Sequence, residues 1–358
     1  MGFRLEPRIS TPAWLNVALS LAAVLAALVL CAGLIALAGA NVIGAYAIMF
    51  ESAFGDVYAL TETLVKATPL VLTGLAVAVA FRAKFWNIGA EGQLLAGAVV
   101  GCWVGGFPHV PGPIAIALML IAGAAGGALA ALVPALLRVR LKVDDVVSSL
   151  LINSIVYYAM MALIEGPWKD RMSGYPNSPP IQDAANFPIL MEGTRLHLGV
   201  VFAALAVPLV WLLMRRTTLG FAINAVGENA EASAYGGIRV DRVLLTAAAI
   251  SGGLAGLAGI CEVGGIHFQV MGEISTGYGY TGIVIAMLAR LNPLGVIPAA
   301  VFFAAVMTGA EAMSRATGVP VFLAQVIQGT ALITMLVALL FTAYRIRRTG
   351  GPAGVRAT

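Results

Sequence analysis

Asn87, Glu91 and Gln93 stand within the stretch FWNIGAEGQ (85–93), with Arg82 and Lys84 just before it and apolar runs on either side. Two amides and a carboxylate at this spacing can exchange hydrogen bonds with a polar solute. Hydrocarbon offers no such exchange, so a polar group there faces a partner or a cavity. Two roles fit. In the structural one, Asn87 caps a helix starting near Ile88, Glu91 sits one turn in against the positive end of the helix dipole, and Gly89 and Gly92 admit a neighbouring helix. In the functional one, all three line a pore or gate. Asn153, midway along another apolar run, has the same two options: bonding a neighbouring helix or a ligand. Glu262, beside Gly264 and Gly265, either faces an outer vestibule or is simply wetted. Glu62 and Lys66 share a helical face at i, i+4 and read as an exposed pair.

These residues are carried on an unusually apolar scaffold. Hydrophobic residues make up 60% of the 358 and charged residues only 11%, against roughly 25% in soluble domains. Mean hydropathy is +0.94. Continuous apolar runs, each long enough for the roughly 20 residues of a membrane helix, identify an all-α polytopic membrane protein and exclude a membrane barrel. Ten segments are expected, at about 14–39, 63–81, 89–106, 112–137, 144–165, 197–214, 243–263, 277–290, 295–313 and 320–343. The segment at 277–290 is short and glycine-studded, which suits a broken or re-entrant helix. The run beginning at Trp14 is too long for a signal-peptide core and reads as a retained first span.

With both termini in the cytoplasm, all of the 21 Lys and Arg except Lys66, Lys169, Arg171, Arg195 and Arg315 fall inside, as the positive-inside rule requires. Trp86, Trp103, Trp168 and Trp211 fall near span ends and read as interfacial anchors. Cys31, Cys102 and Cys261 lie singly in apolar runs, and His109, His197 and His267 are widely separated, so no disulfide framework or metal site is expected. No basic patch interleaved with aromatics is present, which argues against a nucleic-acid partner. Runs such as GAAGGALAAL (123–132) and SGGLAGLAG (251–259) permit tight helix crossings.

Two loops exceed a simple connection. Residues 166–196 form an outer loop rich in proline and glycine. Residues 215–242 form an inner loop in which Asn229 can cap a short helix ending at Tyr235, with Gly236 and Gly237 as terminators. Here the sequence resembles a known family. The segment from Thr217 to Ile238, TTLGFAINAVGENAEASAYGGI, resembles the coupling region of ABC-importer permeases of the branched-chain amino acid, ribose and nucleoside superfamily. NIGAEGQ (87–93), LKVDDVVSSLLINSIVYY (141–158), SGGLAGLAGICEVGGIH and GYGYTGIVIAMLARLNPLG are similar to other segments of that family, in order, over about residues 60–345. The GPWKD loop resembles that of its nucleoside-type members. Asp144, Asp145 and Ser154 depart from the family pattern.

The resemblance implies an inner-membrane permease of the bacterial cytoplasmic membrane. It would couple to an ATP-binding subunit through Gly220, Asn224, Gly227, Glu228, Asn229, Ala232 and Gly237, with Asn87, Glu91, Gln93, Asn153 and Glu262 as pathway candidates. ATP and Mg would reside on that partner, and this chain would bind no cofactor. The other implied partners are a second permease, shorter and different, an extracytoplasmic substrate-binding protein, and membrane lipid. The expected cargo is a nucleoside, with a simple sugar as the alternative. No GxxxxGK[ST] phosphate loop, HExxH or GxSxG occurs, which argues against an enzyme. An ion-coupled secondary transporter is the rival from a different class. It would leave the 229–235 helix without a task and would ask for more deep carboxylates.

Overall fold

A computed structural model describes residues 41–318 without a break, together with 2–7, 344–349 and separate residues within 22–39 and 325–337. The expected spans at 14–39 and 320–343 lie largely outside the described residues. The chain divides into a larger unit, Met49–Gly309, and a smaller one made of Met1–Ile48 and Ala310–Thr358. Within the smaller unit, β1 (Gly2–Pro7) pairs antiparallel with β2 (Tyr344–Thr349). The fold is otherwise helical among the described residues.

The helices are α1 (Val42–Phe54), α2 (Val57–Arg82), α3 (Ala90–Gly105), α4 (Gly112–Leu141), α5 (Asp145–Glu165), α6 (Leu198–Arg216), α7 (Thr218–Glu228), α8 (Ala230–Tyr235), α9 (Val240–Glu262), α10 (Tyr278–Leu288) and α11 (Pro293–Thr317). Six are long and apolar enough to cross a membrane: α2, α4, α5, α6, α9 with the π turn Val263–His267 that extends it, and α11. The protein is therefore a multi-pass membrane protein. Helix α1 falls where no span was expected, because its apolar run is broken by Glu51 and by the Gly55–Asp56 turn.

Local signals explain the ends. Asp56 accepts from the Ala59 amide at 2.6 Å to cap α2, and Asp144 accepts from Val147 at 3.0 Å to cap α5. Lys142, in the left-handed region with φ 56°, ends α4. Helix α2 is the mast of the larger unit, 89% buried across its apolar window, whereas α4, α5 and α6 are 28% buried and present apolar faces outward. Helix α9 packs against α2, α3 and α4.

Helices α3 and α10, both within expected spans, are too short to cross. At 1.5 Å per residue, the 16 residues of α3 reach about 24 Å and the 11 of α10 about 16 Å, against a hydrocarbon core of about 30 Å. Each is preceded by a non-helical segment, 83–89 before α3 and 268–277 before α10.

The crossing of α4 and α9 is made by backbone. A Cβ on Gly256 would strike the Gly123 carbonyl, and one on Gly127 would strike the Gly252 carbonyl. Gly253, next in sequence to Gly252, faces open space except for the Ala124 carbonyl at 3.6 Å. We therefore expect Gly256→Leu to cost about 2–3 kcal/mol or more by overpacking and to remove the monodisperse peak in detergent size-exclusion. Gly253→Leu should elute as the wild type does; equal behaviour of the two would refute this account of the crossing.

Candidate functional site

The segment 83–89 is non-helical, with Ala83, Phe85, Asn87 and Gly89 buried and Lys84 and Trp86 exposed, so its buried polar groups need partners inside the protein. Asp145 accepts from the Trp86 amide at 2.5 Å and Ser149 Oγ from the Ile88 amide at 3.1 Å, and Asn87 closes the turn. Its Nδ2 donates to Gln93 Oε1 at 2.9 Å and to Ser251 Oγ at 3.0 Å, while its Oδ1 accepts from Gln93 Nε2 at 2.8 Å and from the Gly89 amide at 3.0 Å. Both amide side chains are fully buried, and every donor and acceptor of Asn87 is used. The expected cap at Asn87 is therefore displaced. The helix begins at Ala90 after Gly89, whose position carries no side-chain cap, and Asn87 braces the turn before it.

Asn153 ties α5 to this start. Its Oδ1 accepts from the Gly92 amide at 2.8 Å, and its Nδ2 donates to the Ile88 carbonyl at 2.9 Å and to Tyr280 Oη at 3.3 Å. A side chain on Gly92 would collide with Asn153. Glu91 Oε2 accepts from the Gly279 amide at 2.7 Å. That amide belongs to the first turn of α10, so one carboxylate meets the positive N-terminal ends of both short helices. Thr73 Oγ1 donates to the Tyr278 carbonyl at 3.0 Å. Thr73 stands nine residues before Arg82, about 14 Å along α2. The two short helices thus meet at their N-terminal ends, the arrangement in which discontinuous helices build binding sites.

Beside this meeting point lies a cavity of about 290 Å³, bounded by Glu91, Asn153, Ser154, Tyr157, Tyr158, Ser275 and Tyr280. Of the residues expected from sequence, the cavity brings together Glu91 and Asn153. Asn87 and Gln93 lie behind it. Glu262 is elsewhere: it is buried at the end of α9, with its Oε2 3.4 Å from His267 Nε2. Tyr157, Tyr158, Ser275 and Tyr280 were missed. Tyr157 and Tyr158 follow Asn153 and Ser154 at i+4, so helical spacing alone places them on the same face. Glu62 is buried rather than exposed, and is bound by both Nε and Nη2 of Arg195 in the loop before α6. The cavity's walls offer aromatic faces, hydroxyls, one amide and one carboxylate. Among the described residues no His, Cys, Asp and Glu cluster could hold a metal ion.

The coupling candidates occupy a second locus. The expected helix at Asn229–Tyr235 is α8, capped by Asn229, whose Oδ1 accepts from the Ala232 amide at 2.9 Å. Most of the preceding stretch, read as loop, is helix α7. Gly220 packs against the Leu213 carbonyl, and Gly227 packs so closely on the Arg82 carbonyl that a Cβ would collide with it. Asn224 accepts from Arg82 Nη1 at 3.3 Å. The carbonyl of Glu228 accepts from Lys84 Nζ at 3.4 Å, leaving its side chain exposed. Ala232 is exposed, and Gly237 takes φ 84° after α8. Phe221 and Tyr235 are 69% and 93% exposed, so α7 and α8 present an uncovered aromatic surface. Arg138, missed from sequence, donates to the Lys84 carbonyl at 2.7 Å and pairs with Asp145.

The profile of the family described as "Branched-chain amino acid transport system / permease component" matches residues 59–336. A glucose ABC transporter permease protein of Haloferax volcanii is 36% identical over 96% of this chain and 93% of its own length. A guanosine ABC transporter permease protein of Bacillus subtilis is 34% identical, with coverage of 86% and 88%. A nucleoside ABC transporter permease protein of Lactococcus lactis is 32% identical over 85% of each chain. No solved structure matches. With a family profile across most of its length and relatives above 30% identity over nearly all of it, this chain belongs to the permease-component family of ABC transporters.

Proposed function

We propose that the chain forms half of the translocation pathway of an ATP-driven importer for a nucleoside-like solute. The observation that carries this reading is the cavity beneath Tyr157, Tyr158 and Tyr280, with Glu91, Asn153 and Ser275 on its walls. Aromatic faces stack on a base or a sugar ring, and the amide, carboxylate and hydroxyls match ribose or base edges. The relatives named for guanosine and nucleoside transport favour this cargo. A simple sugar is the second reading, favoured by the relative named for glucose.

In this scheme α7 and α8 dock an ATP-binding subunit that carries ATP and Mg, and this chain is not itself catalytic. A second, shorter permease completes the pathway, and a substrate-binding protein delivers solute at the outer face. The basic end, with Arg82, Lys84, Arg138 and Arg215, faces the bacterial cytoplasm, with both termini on the same side.

Movement of the docked subunit reaches the cavity through a short relay. Gly227 and Glu228 rest on Arg82, Ala83 and Lys84; that segment continues into Asn87 and Glu91. Nucleotide acts by favouring one of two arrangements of this relay, which is the thermodynamic content of coupling.

Uptake of labelled guanosine, uridine and glucose by deletion and rescued cells tests the cargo. Nucleoside uptake should vanish on deletion and return with the wild-type gene, whereas loss of glucose uptake alone would favour the sugar reading. Glu228→Ala should leave the complex assembled yet fail to restore uptake; full rescue would remove that residue from coupling. Tyr280→Ala should raise the KM for uptake about tenfold, from the loss of one base–aromatic stack. An unchanged KM would place the solute elsewhere.

A further inference from the structure

At the basic end of the larger unit a separate cavity of about 330 Å³ opens where α2, α6 and α7 meet the turn before α11. Its polar wall carries Arg82, Arg215, Asn224 and Asn292, and its apolar wall includes Trp211 and Leu294. Arg82 is aimed by two bonds: Nε to the Leu291 carbonyl at 3.3 Å and Nη1 to Asn224 Oδ1 at 3.3 Å. Arg215 lies over the Trp211 ring, 5.5 Å from its centroid.

Two guanidinium groups lining one cavity that holds no acidic side chain set it apart. Elsewhere among the described residues, Arg138 pairs with Asp145, Arg195 with Glu62 and Arg315 with Glu311. Arg82 and Arg215 form no ion pair with a described carboxylate, and no acidic side chain lines the cavity. Two guanidinium groups from distant parts of the sequence share one pocket with unused donors and no counter-charge. Guanidinium forks match phosphate oxygens in geometry as well as charge. The apolar wall of Trp211 and Leu294 suits the part of a ligand that continues into hydrocarbon, and tryptophan favours the membrane interface.

We propose that this cavity binds the phosphodiester head group of an anionic phospholipid. The phosphate sits between Arg82 and Arg215, and the glycerol and first acyl carbons lie along Trp211 and Leu294. A free phosphate ion would use only the polar wall. The head group would lie against Asn224 on α7, so the lipid would brace the junction between α2 and the docking helices. Lipid composition would then bear on coupling to the ATP-binding subunit. The inference rests on the membrane reading and is independent of the cargo.

The test uses the purified complete transporter in phosphatidylcholine nanodiscs doped with spin-labelled phosphatidylglycerol or, separately, spin-labelled phosphatidylcholine. The motionally restricted fraction is read by electron paramagnetic resonance. Wild type should prefer phosphatidylglycerol, by about fivefold for each guanidinium engaged. Arg82→Gln with Arg215→Gln should abolish the preference, whereas Arg82→Lys with Arg215→Lys, which keeps the charge, should retain most of it. If the double glutamine variant does not fold, Arg215→Gln alone should lower the preference about fivefold, since that side chain makes no hydrogen bond to a described residue. Arg216→Gln, outside the cavity, should change nothing. Equal restriction of the two lipids, or a preference surviving both glutamines, would overturn the proposal. Displacement of the lipid by millimolar inorganic phosphate would overturn it in favour of a free-anion site. A preference seen only when the permease lacks its ATP-binding subunit would assign the arginines to that protein's acidic side chains.

Discussion

A backbone that leaves the helix inside hydrocarbon must find its hydrogen-bond partners within the protein, and this constraint organises the larger unit. The segments 83–89 and 268–277 both interrupt helical structure, and both are closed by side chains brought from elsewhere. Asn87, Gln93 and Ser251 close the first from within and from α9. Asn153 reaches across from α5 to the Ile88 carbonyl and the Gly92 amide, and Ser149 Oγ accepts from the Ile88 amide at 3.1 Å. The second is tied down at Ser178, whose Oγ accepts from the Val270 amide at 2.9 Å. An unpaired buried group of this kind costs about 1–3 kcal/mol, so these polar residues are as necessary to the fold as its apolar ones.

The same constraint creates the opportunity for binding. Where helices stop at depth, their amides and the side chains that satisfy them stand near a space that solute can enter. Glu91 illustrates the sharing of labour: it accepts the Gly279 amide and also forms part of the cavity wall. Asn153 likewise braces α3 and reaches Tyr280. Asn87 and Gln93, with all of Asn87's hydrogen-bonding capacity satisfied internally, hold the scaffold on which the exposed edge of the site rests.

The sequence makes some of this legible. Apolar runs overlap α2, α4, α5, α6, α9 and α11, because hydrocarbon thickness dictates their length, although α2 starts six residues before its expected span. Glycine density at 277–290 announces a short helix, and Asn229 with its alanines announces α8. Other features escape for physical reasons. Helix α1 is hidden by a charged residue inside its run, and α7 by the turn-like look of Thr217, Gly220 and Asn224. Asn224 is spent on hydrogen bonds to its own helix and to the Met214 carbonyl rather than on a loop. Ser275 and Tyr280 come near Glu91 only through a non-local fold, and no local period encodes that. The partnership of Glu62 with Arg195 spans 133 residues, whereas the i, i+4 rule sees only Lys66.

The backbone-to-backbone crossing of α4 and α9 also limits how the molecule can move. Side chains at an ordinary helix interface can change rotamer and let the partners creep past one another by small amounts. At Gly127, Gly252 and Gly256, each set against a backbone carbonyl, there are none to yield. Such a contact tolerates pivoting about the point of closest approach, or a jump to the next helical register, and penalises everything between. The pair therefore behaves as a fulcrum, and a conformational cycle built on it proceeds in discrete steps.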